Sequence, residues 1–347
     1  MLPRKLLQGF LHSRRVSHGA PSFAAYSTTH TEGGTAKVRY AFFQNEVVPF
    51  EEARISVSTH GFLYGTACFE GIRGYWSPED ERIYIFRMRE HYERLLRSCR
   101  ILCMKPRYTV EELCEITKDI VRRNGDREDI YIRPIFYKSD ITIGVSLANI
   151  NDDFVVFAVP FGDYLDLNRG LRVRVSSWRH VEDNMIPMRA KVNGAYINAA
   201  LAKSEAMMDG YDEAIFLTSD GHVSEGSAEN IFIVRNGVLI TPPITDDILE
   251  GITRQTVMEL AREELNIEVV ERRIDRTELY IAEEAFFVGT GAQVSYIAEI
   301  DGRTIGDGNI GPISREIQRL YFDVVRGRVP KYRHWCEPVE MAEVPKD

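Results

Sequence analysis

Two segments combine glycine with a hydroxyl group at places suited to an anion. Gly251-Ile252-Thr253-Arg254 opens a predicted helix, and Gly289-Thr290-Gly291 follows an apolar strand predicted over Ala285–Val288. A helix start offers unpaired backbone N–H groups and a positive dipole, and glycine lets a phosphate approach closely. An ordinary helix cap or a tight turn explains each segment equally well.

Other polar groups are harder to assign from their spacing. Ser224–Asn230 (SEGSAEN) places two carboxylates and an asparagine just before a predicted strand, and Ser58–Tyr75 mixes glycines with aromatic residues as a pocket lining would. Spacing does not single out a catalytic lysine. From its local sequence Lys191 would pass as a surface lysine, and so would Lys105, Lys118, Lys138 and Lys203.

Several enzyme classes are disfavoured by missing motifs. The chain has no G-x-x-x-x-G-K-[ST], H-E-x-x-H or G-x-S-x-G, which argues against a P-loop NTPase, a zinc protease and an α/β-hydrolase. Residues 306–311 (GDGNIG) fit the dinucleotide fingerprint G-x-G-x-x-G. They follow a predicted hairpin near the C-terminus and open no βαβ unit, so we interpret them as a flexible turn.

Composition indicates a soluble globular enzyme. The 347 residues are 44% hydrophobic and 27% charged, with no run of 18 apolar residues, and a net charge of -9 disfavours a nucleic-acid-binding protein. The odd cysteine number, without Cys-x-x-Cys or neighbouring histidines, predicts a reducing compartment and no metal site. Cys99 and Cys103 lie four apart on a predicted helix, which favours core packing for these two. The five cysteines are Cys68, Cys99, Cys103, Cys114 and Cys336.

The first thirty residues differ in composition from the rest. They contain four basic residues, an apolar stripe from Leu2 to Leu11 and a Ser/Thr-rich stretch, and the first acid is Glu32. This composition is typical of an organellar transit peptide, with a disordered basic tail as the alternative. We therefore expect a transit peptide over residues 1–30 and a mitochondrial location, with a plastid as the alternative.

The elements that position these groups can be predicted from capping, alternation and turns. A capping box at Thr109 starts a helix that runs to about Asn124, and Asp129–Lys138 alternates as a strand should. That alternation places Tyr131 and Arg133 on one face. Asn236-Gly237 predicts a hairpin, and further helices are predicted over Tyr196–Met208, Thr253–Leu265 and Pro312–Val325.

Strands and helices are mixed without a regular βαβ repeat, which predicts an α+β protein without a Rossmann sheet. The length predicts two domains. We place the small N-terminal domain at 37–160, the connection at 161–169 and the large C-terminal domain at 170–335.

From about Arg39 to Asp323 the chain resembles the branched-chain aminotransferases among the fold-type IV pyridoxal-phosphate enzymes. Seven segments match in the family's order: LYGTACFEGIRGY (63–75), REHYERL (89–95), YIRP (131–134), AKVNGAY (190–196), DGHVSEGSAENIF (220–232), LEGITR (249–254) and VGTGAQ (288–293). The resemblance implies a two-domain architecture with a smaller N-terminal and a larger C-terminal α/β domain.

The resemblance also implies a site for pyridoxal 5'-phosphate. Lys191 matches the lysine that forms the Schiff base, for which a neutral amine is needed. Glu225 matches the acid that pairs with the pyridine nitrogen. A carboxylate there keeps the ring protonated, so that the ring can accept electrons when the Cα–H bond breaks. The remaining matches are the phosphate-binding arginine, the tyrosine near the phenolic oxygen, and residues flanking the phosphate: Arg94, Tyr196, Leu249, Ile252, Thr253 and Thr290.

Substrate-binding residues are implied in the same way. Phe69, Tyr164 and Tyr196 match an apolar side-chain pocket, and Tyr64 and Val145 match groups lent by a neighbouring subunit. The α-carboxylate site matches Tyr131 and the backbone amides of Thr290 and Gly291, and Arg133 matches the arginine that orients it. Two positions depart from the family, since Ala228 replaces a common glycine and Gly291 a common alanine. The missing methyl at 291 leaves the ranking of leucine, isoleucine and valine open.

The implied reaction is ping-pong transamination between branched-chain L-amino acids and 2-oxoglutarate, in at least a homodimer, without a nucleic-acid or membrane partner. The nearest alternatives are other fold-type IV activities: a D-amino acid transaminase, an aminodeoxychorismate lyase or an amine transaminase. A non-catalytic binding protein is a further alternative, which the combination of Lys191, Glu225 and Arg94 disfavours.

Overall fold

Short apolar runs separated by turns form the strands of a first sheet. The structure is a computed structural model that describes residues 38–162 and 169–341. The strands before the connection are β1 (Tyr40–Phe43), β2 (Glu46–Pro49), β3 (Ala67–Phe69), β4 (Ile72–Ser77), β5 (Arg82–Phe86), β6 (Ile130–Lys138) and β7 (Asp152–Pro160). The helices among them are α1 (His60–Tyr64), α2 (Met88–Ile101) and α3 (Val110–Asn124).

The second half of the chain supplies a second sheet and three helices. The strands of the second sheet are β8 (Leu171–Arg179), β9 (Glu213–Leu217), β10 (Val223–Gly226), β11 (Asn230–Arg235), β12 (Val238–Thr241), β13 (Val269–Glu271), β14 (Glu284–Gly289), β15 (Gln293–Ile300) and β16 (Arg303–Thr304). The last strand of this half, β17 (Cys336–Glu340), belongs to the first sheet. The helices of this half are α4 (Tyr196–Met208), α5 (Ile252–Glu263) and α6 (Pro312–Val325).

The two sheets differ in how their strands pair. The first has the order β17-β5-β4-β6-β7-β1-β2, with β3 beside β6, and all its pairs are antiparallel. The second has the order β10-β9-β8-β15-β14-β11-β12-β13, with β16 beside β15. Three of its pairs are parallel, namely β12 with β13, β15 with β8, and β8 with β9. This mixture confirms the predicted α+β class.

One hydrophobic core joins α2 and α3 to the first sheet, and it includes residues from beyond the connection. Leu95 and Cys99 of α2 are buried in this core with Ile132 of β6. Ala190 and Val192 are members of the same core. The apolar neighbours of Lys191 therefore fix that lysine against the first sheet although it follows β8 of the second.

Local predictions agree closely with the structure. Thr109 and Glu112 form the capping box of α3, with the Thr109 side chain accepting a hydrogen bond from Glu112 N. The Asn236-Gly237 turn joins β11 to β12 with φ of 51° and 73°, the left-handed values that a two-residue hairpin turn requires. Residues 306–311 lead from a hairpin into α6 rather than from a strand of a βαβ unit, which agrees with the interpretation as a turn.

The domain limits stay a prediction. From Val38 onward the described residues form one compact unit, and β17 returns from the C-terminal part to pair with β5 of the first sheet. The segment predicted as a transit peptide, residues 1–30, lies outside the described residues. Among those that are described, no helix is long and apolar enough to span a membrane.

Candidate active site

Lys191 lies where the two halves of the chain meet, in the stretch between β8 and a 3-10 helix at Asn193–Ala195. Its backbone oxygen accepts a hydrogen bond from Phe69 N at 3.0 Å, and its backbone N–H donates to Ser98 Oγ at 3.2 Å. Gly194 N donates to Gly65 O at 3.1 Å, and a Cβ at Gly65 would lie 2.8 Å from Gly194 Cα. This close approach of two backbones fixes the lysine backbone to α2 and β3.

The Lys191 amine lies in an apolar and positively charged environment. Its Nζ donates a hydrogen bond to Tyr196 Oη at 2.7 Å and lies 5.1 Å from the centre of the Phe69 ring. Burial, followed by the charge of Arg94, lowers the pKa of Lys191 to about 8. Both effects disfavour an ammonium group. At pH 7 about a tenth of an amine with this pKa is neutral, against about one in 2,500 for an ordinary lysine, and the neutral form is the nucleophile and proton acceptor.

Glu225 lies on β10 as a buried carboxyl group. Its Oε2 accepts hydrogen bonds from Asn230 Nδ2 at 2.8 Å and Leu249 N at 3.1 Å. Burial raises the pKa of Glu225 to about 8. His180 Nε2 lies 3.6 Å from Oε1, but burial lowers the pKa of His180 to about 4, so the two groups are neutral neighbours and not an ion pair.

A protonated ring nitrogen fits the position of Glu225. Among the described residues, no lysine or arginine forms a salt bridge with this carboxyl group. A buried acid without a cation is costly to ionise, and a cationic ring nitrogen beside it would remove that cost. The residue present therefore suits the pyridine nitrogen of pyridoxal phosphate.

Arg94 of α2 is held by a carboxylate that sequence reasoning missed. Arg94 Nε and Nη2 donate to the two oxygens of Glu70 at 2.7 Å each, and His91 Nδ1 lies 2.8 Å from Glu70 Oε2. Glu70 is 0% exposed, and although burial acts to raise its pKa, the charge and hydrogen bonds of Arg94 hold that pKa at about 2. Glu70 is the only acid in the matching segment 63–75, so the sequence alone offered it as a candidate partner for a basic residue.

The start of α5 adds backbone donors beside this arginine. Arg94 Nη1 donates to Glu250 O at 2.7 Å, one residue before the N-cap Gly251, and no side chain caps that helix. The N–H groups of Ile252 and Thr253 are therefore available to an anion, as predicted for this segment. Glu70 and Glu250 occupy three of the five guanidinium N–H groups, so two remain for a phosphate.

Four of the predicted substrate residues form a cluster beside Lys191, which we call the aromatic cluster: Phe69, Tyr131, Arg133 and Tyr196. The Phe69 and Tyr196 rings are 4.9 Å apart, and the Arg133 guanidinium lies 4.2 Å from the Phe69 ring. Arg133 Nη2 donates to Tyr131 Oη at 2.8 Å. A Cβ at residue 71 would lie 2.2 Å from that hydroxyl oxygen, so only glycine leaves room for it there. Thr290 and Gly291 lie in the turn between β14 and β15.

Three further residues predicted to bind the substrate have no hydrogen bond or ring contact with the aromatic cluster among the described residues. Tyr64 accepts a hydrogen bond from Gly144 N at 3.0 Å, and Val145 is 78% exposed. No hydrogen bond or ring contact among the described residues connects Tyr64 or Val145 to Lys191 or Tyr131. Tyr164 lies outside the described residues.

The fold is that of a class IV aminotransferase. Residues 67–300 match the family model described as amino-transferase class IV, and the chain belongs to this family of pyridoxal-phosphate enzymes. It is 53% identical over 300 residues to a protein of Aquifex aeolicus named a probable branched-chain-amino-acid aminotransferase, covering 86% of this chain and 96% of the relative.

Solved structures of branched-chain aminotransferases share the fold. The enzyme of Thermoproteus uzoniensis with norvaline superposes with a TM-score of 0.84 at 46% identity, covering 87% of this chain and 99% of the other. The pyridoxal-phosphate form of the Thermobaculum terrenum enzyme superposes with a TM-score of 0.84 at 41% identity, covering 88% and 99%. The predicted two-domain fold-type IV architecture is thereby confirmed.

The comparisons contradict the organellar location. The relatives include proteins of Aquifex, Synechocystis, Salmonella and Escherichia, which are bacteria and contain no mitochondria or plastids. The prediction of a mitochondrial protein with a transit peptide was therefore wrong. Missing acids and an apolar stripe describe a composition, and that composition alone does not specify an import signal.

Replacing Glu70 tests its role as the counter-ion of Arg94. Glu70→Gln leaves a buried guanidinium without its charge partner, so we expect the free energy of unfolding of the cofactor-free protein to fall by about 3–5 kcal/mol. Urea unfolding measures it. Saturating pyridoxal phosphate should recover part of the loss, because its phosphate supplies an anion. Glu250→Gln, which loses only a surface bridge to Arg189, should cost less than about 1 kcal/mol. Equal small losses would contradict the assignment.

The lowered pKa of Lys191 predicts how cofactor capture depends on pH. The nucleophile is the neutral amine, so the rate of capture by cofactor-free protein should rise with pH, reach half its maximum near pH 8 and level off about one pH unit higher. Stopped-flow absorbance between pH 6 and 10 measures this rate. Under the same conditions Nα-acetyl-lysine, whose amine has a pKa of about 10.4, should keep rising to about pH 10. A protein profile that also rises to pH 10 would contradict a lysine amine whose pKa is lowered by burial.

Proposed function

We propose that the chain transfers the amino group of branched-chain L-amino acids to 2-oxoglutarate in a ping-pong reaction, with Lys191 as the residue that carries the cofactor. One observation supports it most strongly: a lysine of lowered pKa and a buried acid without a cation lie at the same site as a carboxylate-held arginine. The names of the relatives support the substrate class.

The cofactor would supply a reactive aldehyde and a ring that accepts the electron pair of a broken Cα–H bond. Lys191 Nζ would hold the cofactor, and as a free amine it would accept the proton of the substrate Cα. Tyr196 Oη, which accepts a hydrogen bond from Nζ, keeps the amine oriented. Glu225 would pair with the protonated ring nitrogen, and Asn230 Nδ2 and Leu249 N fix the Glu225 carboxyl group by hydrogen bonds.

Separate residues hold the phosphate and the substrate. Arg94 and the N–H groups of Ile252 and Thr253 bind the phosphate, with Thr290 beside them. Tyr131 Oη and the amides of Thr290 and Gly291 bind the substrate α-carboxylate, and Arg133 orients Tyr131. Phe69 and Tyr196, with Tyr164, surround the aliphatic side chain and keep water from it.

An assay of amino-group transfer tests this proposal. The purified holoenzyme should show a visible absorbance band that shifts to shorter wavelength with L-leucine and not with D-alanine, and it should form L-glutamate from L-leucine and 2-oxoglutarate. Lys191→Ala should lower turnover by more than about a thousandfold, because both the attachment point and the proton carrier are lost. Lys105→Ala, at an exposed position, is the matched control.

Each opposite result assigns a different function. A response to D-alanine alone would indicate a D-amino acid transaminase, and release of pyruvate from aminodeoxychorismate would indicate a lyase. No visible band after addition of pyridoxal phosphate would contradict Lys191 as the cofactor lysine.

A second copy of the chain completes the proposed site. Two adjacent segments expose apolar side chains and are tied together by the His60–Gly144 and Tyr64–Gly144 hydrogen bonds. A contiguous apolar surface of this kind marks an interaction site. We call it the dimer surface; its exposed members are Ile55, Val57, Phe62, Leu63, Ile141, Ile143 and Val145. Tyr64 lies within the first segment and Val145 in the second, which supports their delivery to a partner's pocket.

A charge on the dimer surface tests this assembly. Ile143 is 88% exposed, so Ile143→Asp should leave the subunit folded while placing a charge in the interface. We expect light scattering to show a shift from dimer to monomer, together with a loss of turnover. Ile281→Asp, at a 63% exposed position on a 3-10 helix, is the control and should change neither. A dimeric and fully active Ile143→Asp variant would contradict the proposal.

A further inference from the structure

Arg87 lies between β5 and α2, and both its backbone and its side chain contact the C-terminal part of the chain. It is 6% exposed, and its φ of 48° places it in the left-handed region, which is uncommon for a residue other than glycine. Its N–H donates to Trp335 O at 2.6 Å, and its guanidinium lies 4.6 Å from the Trp335 ring. A backbone conformation of this kind persists only where surrounding contacts impose it, and such positions are concentrated at functional sites.

The Arg87 guanidinium reaches the helix that begins at the proposed phosphate site. Its Nη1 donates to Thr256 Oγ1 at 2.9 Å, and Thr256 Oγ1 in turn donates to Ile252 O at 2.9 Å. Thr256 is 0% exposed, so these hydrogen bonds are shielded from water. Ile252 is the first residue of α5, and its N–H is one of the two donors proposed to bind the phosphate. Arg87 therefore fixes the first turn of α5 through a single hydroxyl group.

Arg87 and Arg94 hold α2 and α5 together at two points. They are separated by about two helical turns, so they lie on the same face of α2. Arg94 Nη1 donates to Glu250 O just before α5, and Arg87 Nη1 donates to Thr256 Oγ1 in the second turn of that helix. The position of the Arg94 guanidinium relative to the N–H groups of α5 therefore depends on Arg87 as well as on Arg94 itself.

The C-terminal segment 330–340, a 3-10 helix followed by β17, packs against both halves of the chain. We call it the C-terminal strap. Trp335 is buried in the hydrophobic core that contains Leu260 of α5. Val339 is buried in the other core, which contains Leu95 of α2. The strap thus passes from the core beside α5 to the core beside α2, and the residue that binds Arg87 lies where it does so.

We propose that Arg87 is a positioning residue of the cofactor site, which couples docking of the C-terminal strap to binding of the cofactor phosphate between α2 and α5. This inference rests on the proposed function, in which Arg94 and the first turn of α5 bind that phosphate. Two binding events that require the same arrangement stabilise each other by the same free energy. A bound phosphate therefore holds the strap in place, and a docked strap keeps the phosphate donors together.

Comparing pyridoxal phosphate with pyridoxal isolates the phosphate from the rest of the cofactor. Pyridoxal has the same ring and aldehyde and lacks only the phosphate. We expect Arg87→Met and Thr256→Val to weaken binding of pyridoxal phosphate to the cofactor-free protein by about tenfold, because each removes one hydrogen bond of a charged group, and binding of pyridoxal by less than about twofold. Absorbance titration measures both affinities. Thr256→Val keeps the size of the side chain, so the link can be tested even where Arg87→Met does not fold.

Hydrogen exchange tests the coupling from the side of the strap. In the wild-type protein, pyridoxal phosphate should slow exchange of the β17 amides about tenfold more than pyridoxal does, because the coupling is reciprocal. In Arg87→Met the two compounds should slow this exchange equally. The measurement needs no turnover, and a residue that only supports folding would not make exchange depend on the phosphate.

Arg326→Met is the matched control. Arg326 is also a largely buried arginine, and its hydrogen bonds reach Trp76 O at 3.0 Å and Asp129 Oδ2 at 2.9 Å, which belong to neither α2 nor α5. Its replacement should lower the melting temperature. The ratio of the affinities for pyridoxal phosphate and pyridoxal should stay unchanged.

Two outcomes would overturn the role of Arg87. One is an unchanged ratio of the two affinities in either folded variant, Arg87→Met or Thr256→Val. The other is exchange of the β17 amides that does not depend on the phosphate in the wild-type protein. Either result, obtained while the wild-type protein prefers pyridoxal phosphate to pyridoxal, would leave the proposed phosphate site intact. A wild-type protein without that preference would instead contradict the proposed phosphate site, and the role of Arg87 with it.

Discussion

The site depends on lowering the pKa of one lysine amine at the junction of the two sheets. Burial and the Arg94 charge disfavour the ammonium form of Lys191, and the same arginine prepares the neighbouring site for an anion. Both effects require a fixed backbone, which Ser98 and Phe69 provide through hydrogen bonds on either side of the residue. A lysine on a flexible loop would stay hydrated and protonated at neutral pH.

Two buried carboxyl groups at this site have opposite protonation states for reasons that the contacts explain. Burial opposes ionisation of both. Glu70 has a bidentate arginine partner that outweighs burial, whereas Glu225 has only an amide and a backbone N–H. Groups whose pKa values are driven apart in this way have different tasks. Glu70 stays an anion and orients Arg94, whereas Glu225 is neutral and would ionise only beside a cation such as the ring nitrogen of the proposed cofactor site.

The sequence predicted the local features well because each depends on neighbouring residues. The cap at Thr109, the Asn236-Gly237 turn, the limits of α4 and α6 and the shared face of Tyr131 and Arg133 all follow from short-range rules. The importance of Lys191 followed from the family resemblance and not from its spacing. The Glu70–Arg94 pair and the Phe161 contact of Arg73 were not predicted, because they join residues 24 and 88 positions apart. Such contacts depend on strand order, which no local pattern encodes.

The segment 69–75 contains no catalytic residue, yet its side chains and backbone position residues of the proposed site. Phe69 contacts Tyr196 and fixes the Lys191 backbone, Glu70 holds Arg94, and Gly71 leaves room for the Tyr131 hydroxyl. Arg73 then binds the backbone that leaves the first sheet. None of these residues is proposed to transfer a proton, yet together they position the lysine, the arginine proposed to bind phosphate and the proposed carboxylate site. Each of them contacts a group that the proposed site uses, so a segment without a nucleophile or proton carrier of its own still determines where the reacting groups lie.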